Sequence, residues 1–205
     1  MGIYSKFVMP KLVHLACGQN PSMKQREKLI PRAEGRVLEI GIGSGLNMPF
    51  YDSEKVGNLW GIDPSPEMWS IARKNAGQYR LDAEFMEASA ESIPLDSDAA
   101  DTVVMTYTLC TISDVHAALD EIRRVLRPGG KLLFCEHGEA PDENVKLWQK
   151  RLNPLWGKLS GGCHLNRPIP GLLEECGFSS DDLQTMYIPG WKPASFNYWG
   201  SARFD

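Results

Sequence analysis

At 205 residues with a formal net charge of −4, the chain is long enough for one α/β domain with a sizeable core and short for two. Its 42% hydrophobic and 23% charged residues are ordinary globular values, and the negative balance counts against a general nucleic-acid binder, whose footprint is a basic patch. No apolar run approaches the roughly 20 residues that span a bilayer, so no integral membrane segment is expected.

Residues 1–34 read as a helical segment outside the main core, a candidate lid over a ligand site. Within it Leu15-Ala16-Cys17-Gly18 has the outline of a lipoprotein cleavage site. Lys6, Pro10, Lys11 and His14 interrupt the apolar core that such a leader needs. Cys17, Cys110, Cys135, Cys163 and Cys176 are odd in number and scattered, which fits reduced thiols in a cytoplasmic protein better than a disulfide framework.

From Gly35 onward strand and helix signals alternate, the pattern of a mostly parallel sheet covered by helices. Residues 36–40 (Arg-Val-Leu-Glu-Ile) form a first strand and 58–62 a second, ending at Asp63. Residues 84–87 are a short third, 101–106 a fourth and 131–136 a fifth. Near-continuous apolar runs in several of these mark strands buried on both faces. Ser65-Pro66-Glu67 opens the helix after strand two with a cap, a proline at the first helical position and an early acid. Ser113 is expected to cap a helix with the apolar stripe Val115, Ala118, Leu119, Ile122 and Leu126, stopped by Pro128-Gly129-Gly130. Residues 144–159 read as a helix interrupted at Pro154, and 170–176 as another with Gly177 as its stop. Residues 182–188 and 197–204 are the last two strands. Domain 35–205 is thus one ligand-binding unit.

The chemistry concentrates after the first strand. Gly41, Gly43 and Gly45 let the chain turn sharply and let a ligand approach the backbone, with Asn47 where the next helix opens. Alone, such a turn fits a dinucleotide, S-adenosylmethionine or no ligand. A dinucleotide site has Gly-x-Gly-x-x-Gly; here the spacing is Gly-x-Gly-x-Gly. Glu39 separates the readings, because a pyrophosphate would be repelled by a carboxylate two residues upstream. S-adenosylmethionine has no phosphate and brings an ammonium and a sulfonium, which that acid favours. Asp63, about 20 residues beyond the turn, stands where an acid accepts the ribose hydroxyls. Ala90 and Glu91 are expected beside the adenine. Thr106 and Tyr107, at the carboxyl end of strand four, face the crevice where open α/β sheets bind ligands.

These motifs carry a family resemblance. Val37-Leu38-Glu39-Ile40-Gly41-Ile42-Gly43-Ser44-Gly45, Gly61-Ile62-Asp63, Ala90-Glu91-Ser92-Ile93-Pro94-Leu95 and Arg124-Val125-Leu126-Arg127-Pro128-Gly129-Gly130 resemble class I S-adenosylmethionine-dependent methyltransferases of the ubiquinone/menaquinone type. The resemblance implies a Rossmann-like seven-stranded sheet with helices on both faces and an antiparallel last strand. In the second half, Thr108-Leu109-Cys110-Thr111-Ile112, Glu136-His137-Gly138, Trp148-Gln149, Leu152-Asn153-Pro154-Leu155-Trp156 and Gly162-Cys163-His164-Leu165-Asn166-Arg167 resemble the methyltransferase-like-7 group. That implies a small-molecule acceptor, with an alkyl thiol foremost. Transfer to a phospholipid headgroup nitrogen or a quinone carbon stays open, as does a non-catalytic cofactor-binding module. No oligomeric state is legible.

Methyl transfer from a sulfonium is an in-line displacement, so alignment is much of the task. His137, after strand five, is the candidate general base, and His164 ranks behind it. Tyr107, Cys110, Trp148, Trp156 and His164 are the candidate acceptor-pocket residues, against the plainer reading of ordinary packing. Cys135, His137, Cys163 and His164 offer suitable ligand atoms, but Cys-x-His and Cys-His are not structural-zinc spacings, so no metal is expected. Arg123-Arg124 and Lys150-Arg151 read as solvated faces.

Overall fold

The computed structural model describes residues 17–204. The alternation seen in the sequence folds as follows. Helix α1 (Asn20–Leu29) and a 3-10 turn precede β1 (Gly35–Ile40), β2 (Val56–Ile62), α2 (Trp69–Gln78), β3 (Ala83–Met86) and β4 (Ala100–Thr106). Then come α3 (Val115–Val125), β5 (Leu126–His137), α4 (Glu143–Leu159), α5 (Ile169–Glu175), β6 (Ser179–Ser180), β7 (Gln184–Tyr187) and β8 (Phe196–Arg203). The sheet order is β3-β2-β1-β4-β5-β8, with β6 and β7 both paired to β8. Taken as one interrupted edge strand, β6 and β7 make seven rows. Strands β1 to β5 pair in parallel, and β8 runs antiparallel to β5. This is the Rossmann-like sheet that the family resemblance implied.

Both faces are covered, which is why the strands read as unbroken apolar runs. Successive residues of a strand point to opposite faces. On one face Leu38, Val103, Leu132 and Phe134 pack with Leu119, Ile122 and Val125 of α3 and Leu173 of α5. On the other Val37, Val104, Leu133 and Cys135 pack with Leu29, Met48, Ala72 and Ala76. Parallel order sends the carboxyl ends of β1, β2 and β4 to one edge, where their loops converge.

Several local expectations are corrected. The cap of α3 is Asp114, whose carboxylate accepts the Ala117 amide at 3.1 Å, rather than Ser113. Pro128-Gly129-Gly130 does not stop α3, which ends at Val125, but bulges out of β5: Ala100 pairs with Leu126 and Thr102 with Lys131, so the strand starts five residues early. Pro154 does not interrupt α4. It lies on an exposed turn, and the residue four positions earlier, whose carbonyl loses its helical partner, is exposed as well. The glycine turn leads into a 3-10 turn, Met48–Phe50, and not into an α-helix at Asn47. Of the expected N-terminal helical segment, residues 20–32 are helical, and residues 1–16 lie outside the described part. Among the described residues, no helix is long and apolar enough to cross a membrane.

Candidate active site

A cavity of about 460 Å³ opens at the carboxyl ends of β1, β2 and β4. Its wall includes Glu39, Gly41, Gly43, Asp63, Ala90, Glu91, Thr106 and Tyr107, so most of the anticipated cofactor set converges on one space. Gly41, Gly43 and Gly45 have φ of +70°, +49° and +78°, conformations that a side chain resists. At Gly43 a Cβ would meet Asp63 Oδ2 at 3.8 Å and the Gly41 carbonyl at 4.0 Å, both ordinary contacts, leaving the space over the turn free for a ligand. Gly45 and Asn47 are not on the wall. A Cβ at Gly45 would lie 2.8 Å from the Met48 sulfur, so that glycine closes the turn by packing.

Asn47 is buried behind the turn and ties three groups together. Its Nδ2 donates to Glu39 Oε1 at 2.9 Å and to Thr106 Oγ1 at 3.0 Å, and its Oδ1 accepts from Arg26 at 2.7 Å. Tyr51 donates its hydroxyl to Glu39 Oε2 at 2.8 Å. Burial pushes the Glu39 carboxyl up to about 7, and the bonds from Tyr51 and Asn47 and the Arg26 charge oppose it only in part. A cation arriving at Glu39 would restore the carboxylate. Asp63 accepts the Gly43 amide at 3.0 Å and the Ser65 amide at 2.8 Å, which fixes its carboxylate at the tip of β2.

Arg26 reaches this network from α1. It is 4% exposed, bonds Asn47 and Thr106, lies on the cavity wall, and its Nε has no partner. Buried polar atoms are seldom left alone. A buried acid, Glu39, and a guanidinium with an unsatisfied nitrogen, Arg26, at one end of a cleft fit a zwitterionic amino-acid moiety such as that of S-adenosylmethionine.

The second half of the chain is placed differently from its sequence reading. Trp148 is 54% exposed on α4 and lies off the cavity wall. Trp156 stacks on Trp191 with ring centroids 5.3 Å apart, also off the wall. His164 pairs with Asn153 at 3.2 Å, outside the cavity. His137 stands behind the wall, with Nε2 3.3 Å from Cys163 Sγ. Burial works against its imidazolium, yet the Cys163 thiol and the Glu136 charge lift its pKa above the usual value. Cys110 is buried beside the same thiol. The Cys110 hydrogen bond, followed by His137, holds the Cys163 thiol well below the ordinary range, while Cys110 itself is pushed up. The wall away from the glycine turn includes instead Cys17, Tyr107, Thr111, Ile112, Ser160 and Gly161.

A family model described as a methyltransferase domain matches residues 38–134. Human thiol S-methyltransferase TMT1A is 34% identical, over 84% of this chain and 72% of the relative. The chain belongs to the S-adenosylmethionine-dependent methyltransferases. Rat thiol S-methyltransferase TMT1B is 34% identical over 80% of this chain and 66% of its own length. Demethylmenaquinone methyltransferase of Thermus thermophilus is 30% identical over 71% and 69%. The chain thus spans about two thirds of these relatives. Among solved structures, an S-adenosylmethionine-dependent methyltransferase from Thermotoga maritima gives a TM-score of 0.68 at 21% identity, covering 99% of this chain and 98% of that one. The YcgJ protein of Bacillus subtilis gives 0.66 at 20%, covering 90% and 96%. At such identities the likeness carries the fold.

The roles of three residues of this methyltransferase escaped the sequence reading. Arg26 and Tyr51 sit among other bases and aromatics with no motif around them. Gln149 is fully buried in α4 and receives the Ala140 amide at 2.9 Å while donating to the Gly138, Leu165 and Pro193 carbonyls, each at 2.9 Å. It pins three loops behind the acceptor end. Its signal was a lone amide on a face otherwise read as aromatic and basic. Glu136 was visible within Glu136-His137-Gly138, but not as the acceptor of the Thr108 and Leu109 amides, at 2.9 and 3.1 Å, which holds the turn carrying Cys110.

Proposed function

We propose that this methyltransferase acts on a small thiol, in the cytoplasm, with Glu39, Gly41, Gly43, Asp63, Ala90, Glu91 and Thr106 holding the cofactor and Gly45 and Asn47 supporting them. The observation that carries the acceptor class is the composition of the cavity wall. Among the described lining residues Arg26 is the one cation, and no histidine is present. An amine acceptor would arrive as an ammonium and find no imidazole on the described wall to deprotonate it. A thiol ionises near 8.5 and so needs no strong base to supply thiolate. The thiol S-methyltransferases among the relatives support the same reading. Five free cysteines agree with a reducing compartment.

S-adenosylmethionine supplies an electrophilic methyl carbon on a sulfonium. The chain's own part is positional. Glu39 and Arg26 fix the amino-acid end, Asp63 fixes the ribose, and the backbone around Ala90 borders the adenine. Tyr107, Thr111 and Ile112 hold the acceptor sulfur in line and exclude water. In this scheme His137 is a supporting residue behind the wall rather than the base at the acceptor.

The test incubates the enzyme and cofactor with alkyl thiols, primary amines, a quinol and phosphatidylethanolamine vesicles, and follows methylated product by mass spectrometry. Alkyl thiols are expected to give the highest kcat/KM. Preferential methylation of an amine, a quinol or a headgroup would overturn the acceptor assignment. Cofactor binding without transfer to any of them would point to a binding module.

A further inference from the structure

Three soft donors meet just behind the acceptor end of the cleft, each delivered by a different element. Cys110 comes from the 3-10 turn after β4, His137 from the last position of β5, and Cys163 from the loop after α4. One ligand atom from each lies within 4.8 Å of the others. The measured pair, Cys163 Sγ and His137 Nε2, is 3.3 Å apart. A tetrahedral zinc site with Zn–S near 2.3 Å and Zn–N near 2.0–2.1 Å needs ligand edges of roughly 3.5–3.8 Å. The Cys163–His137 pair is within a few tenths of an ångström of that edge, and the other two separations, bounded by 4.8 Å, ask for a closing of at most about 1 Å. Sequence spacing hid the group, because the set pairs Cys110 with His137 and Cys163 in place of Cys135 and His164. Cys135 points into the core cluster on the other side of the sheet.

We propose that Cys110, His137 and Cys163 form a site for a thiophilic divalent cation of the zinc class, with three protein ligands. Two thiolates and a neutral imidazole would neutralise such an ion, and thiolate with imidazole is the donor set zinc prefers. The other His137 nitrogen, Nδ1, is buried with no partner, so the ring's hydrogen bonding is directed to the thiol side alone. The mounts are rigid. Glu136 fixes the turn bearing Cys110, and the backbone amide of His164 bonds the Cys110 carbonyl at 2.9 Å, stitching the two cysteine segments together. Cys163 is 8% and Cys110 3% exposed, so an ion there would be shielded from bulk water. Thr111, Ser160 and Gly161 of the same segments line the cleft, which places the ion against the acceptor end. The assignment is independent of which acceptor is methylated.

The experiment titrates Co²⁺, as a chromophoric stand-in, into the full chain treated with a chelator and kept reduced without added thiol. One equivalent per chain is expected, with a thiolate-to-cobalt charge-transfer band that Zn²⁺ abolishes by displacement. Cys110→Ser, Cys163→Ser and His137→Gln should each weaken binding by at least ~100-fold, since even changes beyond the ligands cost ~10–100-fold. Cys176→Ser should leave the band unchanged. A variant that misfolds is replaced by a second readout on the unmodified protein: Zn²⁺ should protect Cys110 and Cys163 together from alkylation, mapped by mass spectrometry. Absence of the band, its persistence in Cys110→Ser and Cys163→Ser, or protection of other cysteines in place of these two would overturn the site.

Discussion

At the cofactor end the ligand-facing groups hang from the tips of β1, β2 and β4, and the glycine turn presents backbone. At the proposed acceptor end they come from the turn after β4, the loop after α4 and the segment preceding α1, tied together by buried polar side chains such as Gln149 and Glu136. The first region is fixed by sheet register and by positive-φ glycines. The second is fixed by side-chain-to-backbone bonds between residues that lie far apart in sequence. Where geometry follows from register, short motifs suffice to describe a site; where it follows from loop stitching, they do not.

Two glycines sharpen that contrast. Gly41 has φ +70°, and a Cβ there would lie 2.5 Å from the Thr108 side chain. Gly41→Ala should lose about 2–4 kcal/mol in urea unfolding, from left-handed strain plus overpacking. Gly171 lies in α5, where a Cβ meets nothing within 4 Å. Gly171→Ala should gain about 0.5–1 kcal/mol from helix propensity. Equal losses at both positions would erase the distinction between a turn shaped for a ligand and ordinary helix.

A smaller effect separates the two ends by pH. Burial holds Glu39 mostly protonated below about 7. The carboxylate that attracts the cofactor ammonium therefore appears only as pH rises through that value. Cofactor affinity should climb roughly 10-fold from about pH 5.5 to about pH 7, a window in which an α-amino group near 7.7–8.0 stays charged. Glu39→Gln should flatten the profile in calorimetric titrations, whereas a profile that keeps its slope in that variant would assign the titration elsewhere, for instance to Glu136, also pushed up to about 7 by burial.

Most of the fold was legible because alternating strands and helices, buried on both faces, leave continuous apolar runs and clear stops. The convergence of Glu39, Gly41, Gly43, Asp63, Ala90, Glu91 and Thr106 on one cavity follows from parallel order alone. Local ends were harder. Asp114 took the cap from Ser113 because its carboxylate reaches the Ala117 amide, and Pro154 stayed within α4 because its turn faces water. The acceptor end was least legible. Trp148 and His164 sit at spacings that could serve a pocket, yet α4 presents Trp148 outward, and Asn153 holds His164 away from the cavity. Arg26 gave no local signal, since its role arises only when α1 packs against β5 and β8 and brings the guanidinium to Asn47 and Thr106.

Whether the acids of β1 and of the tip of β2 hold S-adenosylmethionine is read by isothermal titration of the cofactor into wild type, Glu39→Ala and Asp63→Ala. A hydrogen bond involving a charged group contributes about 1.5–3 kcal/mol, so each substitution should raise the Kd at least ~10-fold with the fold intact by circular dichroism. Unchanged affinity in both variants would contradict the account and place the cofactor elsewhere.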